Sequence, residues 1–107
     1  MNDDIEALLQ QDRDLVRAKI NSETAKIPWQ DLQRFFAQGK VILVDPDLDL
    51  VDVAFSVQQD EINQVEAWAQ SGSLKPLGDE LARDWFEQEA IIWAVVVKPW
   101  VLVQAPT

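Results

Sequence analysis

The sequence predicts an α+β domain in which about five helices pack around a small sheet, and three observations carry that prediction. Residues 91–103, IIWAVVVKPWVLV, hold eleven apolar residues in thirteen, dominated by Val and Ile. That is the composition of strand buried on both faces. A shorter run of the same kind is Val41-Ile42-Leu43-Val44. Elsewhere the apolar residues recur three and four apart, the spacing of helices with one buried face.

The long apolar run organises the rest. Fully extended, it would measure about 43 Å, whereas a compact domain of this size has a radius of gyration of roughly 13 Å. The run must therefore bend. Lys98-Pro99 is the place, because proline donates no ladder hydrogen bond and marks an edge, a bulge or a break. Two strand segments are expected, 91–97 and 100–103, joined by a kink that re-aims Lys98 and Trp100.

In chain order, residues 3 to about 24 read as a helix. Ile5, Leu8, Leu9, Val16 and Ile20 follow helical spacing and Asp12 interrupts the stripe, so the first ten residues are expected to project from the core. Residues 21–27 form a weak breaker region, and Pro28 fits the first turn of a second helix. That helix carries Trp29, Leu32, Phe35 and Phe36 and stops at Gly39. Val41-Ile42-Leu43-Val44 is a strand, and Asp45-Pro46-Asp47 breaks it. A third helix starts near Asp49, with Asp47 or Asp49 as its N-cap. It turns Leu50, Val53, Ala54 and Val57 inward and Asp49, Asp52, Ser56 and Gln59 outward. Asp60 is expected to cap a fourth helix that buries Ile62, Val65, Trp68 and Ala69 and stops at Gly72. Residues 74–77 suggest a minor extended segment. Asp79 then caps a fifth helix bearing Leu81, Ala82, Trp85 and Phe86. The chain is one domain, 1–107, with a helical N-terminal extension over 1–11 and a tail over 104–107.

Composition excludes several function classes. The net charge is −10, and between Val41 and Leu74 there are seven acids and no Lys or Arg. Such a chain repels phosphates, which argues against nucleic acid and anionic membrane surfaces as partners. The acidic start lacks the features of a signal peptide, and no apolar run is long enough to span a bilayer. A cytoplasmic location is expected.

The chain has no Cys, His or Tyr. Thiolate and His-ligated metal sites and His-assisted nucleophiles are therefore impossible. Gly39, Gly72 and Gly78 are isolated, so there is no phosphate-cradling loop and no cofactor is expected. The sharpest chemical signal is the acidic turn after Val44, with Asp45, Asp47, Asp49 and Asp52. An EF-hand loop counted from Asp45 needs Gly sixth and Glu twelfth, but those positions hold Leu50 and Ser56. Haloacid-dehalogenase phosphatases place Asp-x-Asp after an apolar strand, but this chain is too short for that fold. A hard-cation site on the four Asp residues competes with a simpler role, in which Pro46 makes a turn and Asp caps the next helix near the positive end of its dipole. Capping is the favoured reading.

Five tryptophans raise the question of a binding surface. Trp68 and Trp85 lie on apolar helical faces and Trp93 lies mid-strand, which suits burial. Trp29 and Trp100 sit beside Pro28 and Pro99, where the backbone turns. Burial is the commoner fate there too, but these two and Lys98 are the candidate contact residues.

Several strings resemble a known family. They are INSETAKIPW over 20–29, Val44-Asp45-Pro46, Leu48-Asp49-Leu50-Val51 and WAVVVKPWVLVQ over 93–104. Over roughly 15–104 the chain resembles short bacterial proteins grouped as domain-of-unknown-function family 2288. The resemblance implies a bacterial cytosolic protein and carries over no activity, cofactor or catalytic residue.

The function expected is a small non-enzymatic interaction domain whose protein partner includes a second copy of itself. A sheet of only two strands leaves two open edges that invite another chain, and 91–103 with Trp100 would lie at or near a homodimer interface. The alternative is a divalent-cation site on Asp45, Asp47, Asp49 and Asp52 with hydrolytic chemistry. A metal site requires at least three of those carboxylates to converge.

Overall fold

The structure, a computed structural model, describes residues 2–106. It is α+β, with five α-helices, a short 3-10 turn and a five-stranded mixed sheet. The helices are α1 (Asn2–Glu23), α2 (Gln33–Ala37), α3 (Leu50–Gln58), α4 (Ile62–Gln70) and α5 (Asp79–Glu87), and the 3-10 turn is Trp29–Leu32. The strands are β1 (Ala25–Pro28), β2 (Val41–Val44), β3 (Leu74–Pro76), β4 (Ile91–Val97) and β5 (Trp100–Gln104), in the order β1-β4-β5-β2-β3. β2 and β5 are parallel, and the other neighbours are antiparallel.

Two expectations about the long apolar run divide here. Its segments fall where expected, but the bend at Lys98-Pro99 is a full reversal. β4 and β5 pair with each other from Trp93↔Gln104 to Val97↔Trp100, and the Lys98–Pro99 peptide is cis. The run therefore folds into a hairpin at the centre of the sheet and offers no open edge. The edges are β1 and β3. β1 occupies the stretch read as a breaker region, and Pro28 is both the last residue of this strand and the N-cap of the 3-10 turn, so it precedes the first helical turn and does not lie within it. Proline is tolerated on an edge strand, and the Trp29 N–H continues the pairing by donating to the Ala90 carbonyl at 2.9 Å.

The inner strands are apolar on both sides because both sides are covered. Successive side chains on a strand point to opposite faces. On one face Val44, Val95, Val97 and Leu102 pack with Ile20 of α1, Val53 and Phe55 of α3, and Val65 and Trp68 of α4. On the other, Val41, Ile92, Ala94, Val101 and Val103 pack with Trp29, Leu32 and Phe36, and with Ala82 and Trp85 of α5. Each fully buried Val, Leu or Ile contributes about 1.5–3 kcal/mol of hydrophobic stabilisation. The sheet needs no second copy to cover either face.

Four helices end alike. After α2, α3, α4 and α5 the chain passes through a left-handed residue, and the next N–H donates to a carbonyl of the last helical turn: Lys40 to Phe35, Glu61 to Ser56, Ser73 to Trp68 and Ala90 to Trp85. Gly39 and Gly72 fill the left-handed position after α2 and α4, as expected. Asp60 (φ 54°) and Glu89 (φ 50°) fill it after α3 and α5. Asp60 thus closes α3 instead of capping α4, whose N-cap is Glu61, and α5 is preceded by Gly78 with Asp79 already helical.

Helical faces depart from expectation in a few places. Ile62 and Phe86 are exposed, whereas Phe55 and Ser56 are buried because α3 is covered by α1 as well as by the sheet.

Candidate functional site

The acidic turn is built from the end of β2 to the first turn of α3. Asp45 receives the Asp47 N–H on Oδ1 at 2.8 Å, closing a local turn around Pro46. The Asp49 side chain accepts the Val51 and Asp52 N–H groups at 2.9 and 3.3 Å, so Asp49 is the N-cap of α3. Asp52 pairs with Arg17 of α1, whose guanidinium also lies over the Phe55 ring, 4.6 Å from its centroid. Asp47 is exposed. Three of the four carboxylates are turned onto separate partners, two on backbone and one on an arginine. Among the described residues, no three acidic side chains are grouped to hold a metal ion.

Gln104 was missed by sequence reasoning, which placed it in a tail. It is the last residue of β5, and its Nε2 donates to the carbonyls of Asp45 and Leu48 at 2.9 and 2.7 Å. One amide thereby ties both ends of the acidic turn to the central hairpin. Its position after the apolar run was the available signal, because a polar residue at a strand end can still face the interior.

The candidate contact residues separate. Trp29 is 1% exposed and sits between Phe36 and Trp85, so it belongs to the core and cannot meet a partner. Lys98 is exposed at the β4–β5 turn, and Trp100 is 39% exposed beside it. Trp100 borders two depressions. One is an apolar groove of about 260 Å3 that is also lined by Val57, Val65, Ala69 and Leu74. The other is a wider cleft of about 770 Å3 that also takes in Lys19, Glu23 and Lys98. Trp68 and Trp93 are half-buried and Trp85 is buried.

A further apolar surface lies on α1. Val16 and Ile20 of its stripe turn into the core, whereas Ile5, Leu8, Leu9 and Leu15 are 57–66% exposed. The molecule measures 57 × 28 × 25 Å, and residues 4–15 of α1 are all exposed. Among the described residues, no helix is long and apolar enough to cross a membrane.

Comparison with known proteins places the chain. No curated protein matches. A solved structure, the NMR solution structure of PA1075 from Pseudomonas aeruginosa, is similar, with 44% sequence identity, a TM-score of 0.75, and coverage of 84% of this chain and 83% of that one. A family model described as protein of unknown function (DUF2288) matches residues 15–105. Since the match spans most of the sequence, including the acidic turn and the central hairpin, the chain belongs to the DUF2288 family.

Proposed function

We propose that this chain is a small non-enzymatic interaction domain of the bacterial cytosol whose protein partner includes a second copy of itself. The observation that carries the reading is Trp100. Both faces of the sheet are already covered by the chain's own helices, yet this large aromatic stays 39% exposed between an apolar groove and a cleft holding Lys19 and Lys98. Half-exposed Trp beside an apolar groove is the composition of contact hot spots. An open sheet edge along 91–103 does not contribute to self-association, because β4 and β5 are central strands. Exposed apolar side chains replace it. The −10 charge opposes association, but at physiological salt it is screened beyond about 8 Å. The same acidity supports the exclusion of nucleic acid and anionic membranes.

Light scattering coupled to size exclusion at micromolar concentration tests the reading. A dimer mass is expected, with Trp100→Glu shifting it toward monomer while each chain stays folded. A single monomer mass across the concentration range would overturn self-association.

A further inference from the structure

We infer that the seat of self-association is the N-terminal half of α1, which pairs antiparallel with the same segment of a second copy. The inference rests on the self-association proposed above and adds the surface, the register and the residues.

The face itself is the first observation. One apolar stripe runs the length of α1, and the molecule uses only part of it. Val16 and Ile20 are turned into the core, while Ile5, Leu8, Leu9 and Leu15 have no cover. Four large aliphatic side chains, each 57–66% exposed, lie on one helical face. Contiguous exposed apolar surface of this kind, rimmed by charged residues, is the composition of a contact face. Two such patches together give a small, reversible interface, below the 1,200 Å2 or so of stable complexes.

Charge selects a second copy as the occupant. Residues 4–20 carry four acids and three bases, so nearly all of the −10 lies elsewhere in the chain. Within the helix the acids Asp4 and Glu6 come first and the bases Arg13, Arg17 and Lys19 come later. Acid-first order suits the helix dipole in any case, so the informative feature is the flank. Glu6 and Arg13 are seven residues, about two helical turns, apart and border the apolar stripe on the same side. In a two-fold antiparallel pair each flank meets the same flank of the other copy. With Gln10 near the axis, Ile5 of one copy faces Leu15 of the other, and Glu6 faces Arg13 twice. A parallel pair would bring opposite flanks together and leave Glu6 without Arg13 across the seam. Arg13 is exposed, and although its guanidinium lies 5.0 Å from the Phe55 ring centroid, Arg17 covers the same ring at 4.6 Å. Arg13 can therefore turn outward without uncovering Phe55. The same register carries the acidic start of one arm toward Lys19 of the other, at the mouth of the cleft beside Lys98 and Trp100.

Asp12 lies within the stripe and opposes tight pairing, as polar residues in helix–helix seams do while fixing register. The family match begins at residue 15, so Ile5, Leu8, Leu9 and the Glu6–Arg13 flank lie before it and Leu15 lies at its start.

The test uses the full chain in light scattering and sedimentation equilibrium. Leu8→Glu with Leu9→Glu should raise the dimer dissociation constant about thirtyfold or more, the scale of a hot-spot loss. Both residues are exposed, so the denaturation midpoint should stay put. Glu6→Arg and Arg13→Glu should each weaken the dimer, and combining them should restore it. Asp12→Leu should tighten it. A dimer that survives the Leu8/Leu9 variant would overturn this inference while leaving self-association intact. A wild-type monomer would overturn both. Failure of the double charge swap to restore the dimer would overturn the antiparallel register. A monomer whose α1 instead binds zwitterionic lipid vesicles would show the face to be covered by membrane, and would also overturn the inference.

Discussion

The indole of Trp85 meets that of Trp29 edge-on, with ring centroids 5.4 Å apart and the planes inclined at 69°. Phe36 approaches Trp29 in the same manner at 5.6 Å. This three-ring cluster joins α5, the 3-10 turn and α2 over one face of the sheet. Edge-to-face pairs of this kind contribute about 0.5–1.5 kcal/mol beyond the area they bury.

Trp85→Ala should therefore cost about 3–5 kcal/mol, a large share of the 5–15 kcal/mol or so that holds a domain of this size. Phe36 is only half-buried, and Phe36→Ala should cost less than Trp85→Ala. Urea titration of both variants checks the order. Equal losses, or a Trp85→Ala loss below about 1 kcal/mol, would contradict the burial described.

Gln104 provides a second test. Its amide donates to two carbonyls that no other side chain in the turn reaches. Removing it takes this donor from the Leu48 carbonyl, while the Asp45 carbonyl keeps the Leu48 N–H at 3.0 Å, for a loss of about 1–3 kcal/mol. Gln104→Glu should be worse than Gln104→Ala. A carboxylate donates nothing to the two carbonyls and adds negative charge beside Asp45. Thermal unfolding of the two variants gives the ranking directly.

The acidic turn should bind no divalent cation tightly. Asp45 and Asp49 already accept backbone N–H groups, and Asp52 faces Arg17. Titration calorimetry with Ca2+, Mg2+ and Mn2+ should give no isotherm in the micromolar range. A defined isotherm abolished by Asp47→Asn would restore the cation reading. By contrast, Asp49→Ala should lower stability by about 1 kcal/mol through loss of the cap, in the absence of any metal.

Glu89 ends α5 with φ at 50°, a conformation that costs a residue with a Cβ roughly 1–2 kcal/mol. Gly39 and Gly72 occupy the equivalent position after α2 and α4 without that cost. Glu89→Gly should therefore raise the denaturation midpoint, whereas Glu87→Gly, at an exposed position inside the helix, should lower it.

Much of this architecture was legible because local chemistry and burial agree. The strands at 41–44 and 91–97, the glycine stops and the Asp49 cap all follow from short-range rules that the tertiary structure does not contradict. β1 was not legible. Ala25-Lys26-Ile27-Pro28 is short and holds a single β-branched residue, Ile27, and it is strand because β4 lies beside it. The hairpin was misread as a kink for a related reason, since a proline signals a break without saying whether the chain returns. At the candidate site, Gln104 and Phe55 owe their roles to neighbours more than 30 residues away. Trp29 was half-legible, because the proline beside it marks the direction change but says nothing of Phe36 and Trp85 closing over the ring.

The five tryptophans also allow the exposed one to be watched alone. Trp29 and Trp85 are buried, Trp68 and Trp93 are half-buried, and Trp100 is 39% exposed. Neutral acrylamide suits the measurement, because an anionic quencher would be repelled by a chain of net charge −10. Trp100→Phe should remove the largest part of the quenchable fluorescence. If the two-fold arrangement of α1 brings the start of one arm to the cleft bordered by Lys19, Lys98 and Trp100, quenching of the wild type should fall as concentration rises through the dimer midpoint. In the Leu8→Glu, Leu9→Glu variant it should stay at its dilute value. A quenching constant independent of concentration in a protein that does dimerise would place Trp100 outside the contact, and would leave its groove open for a different protein.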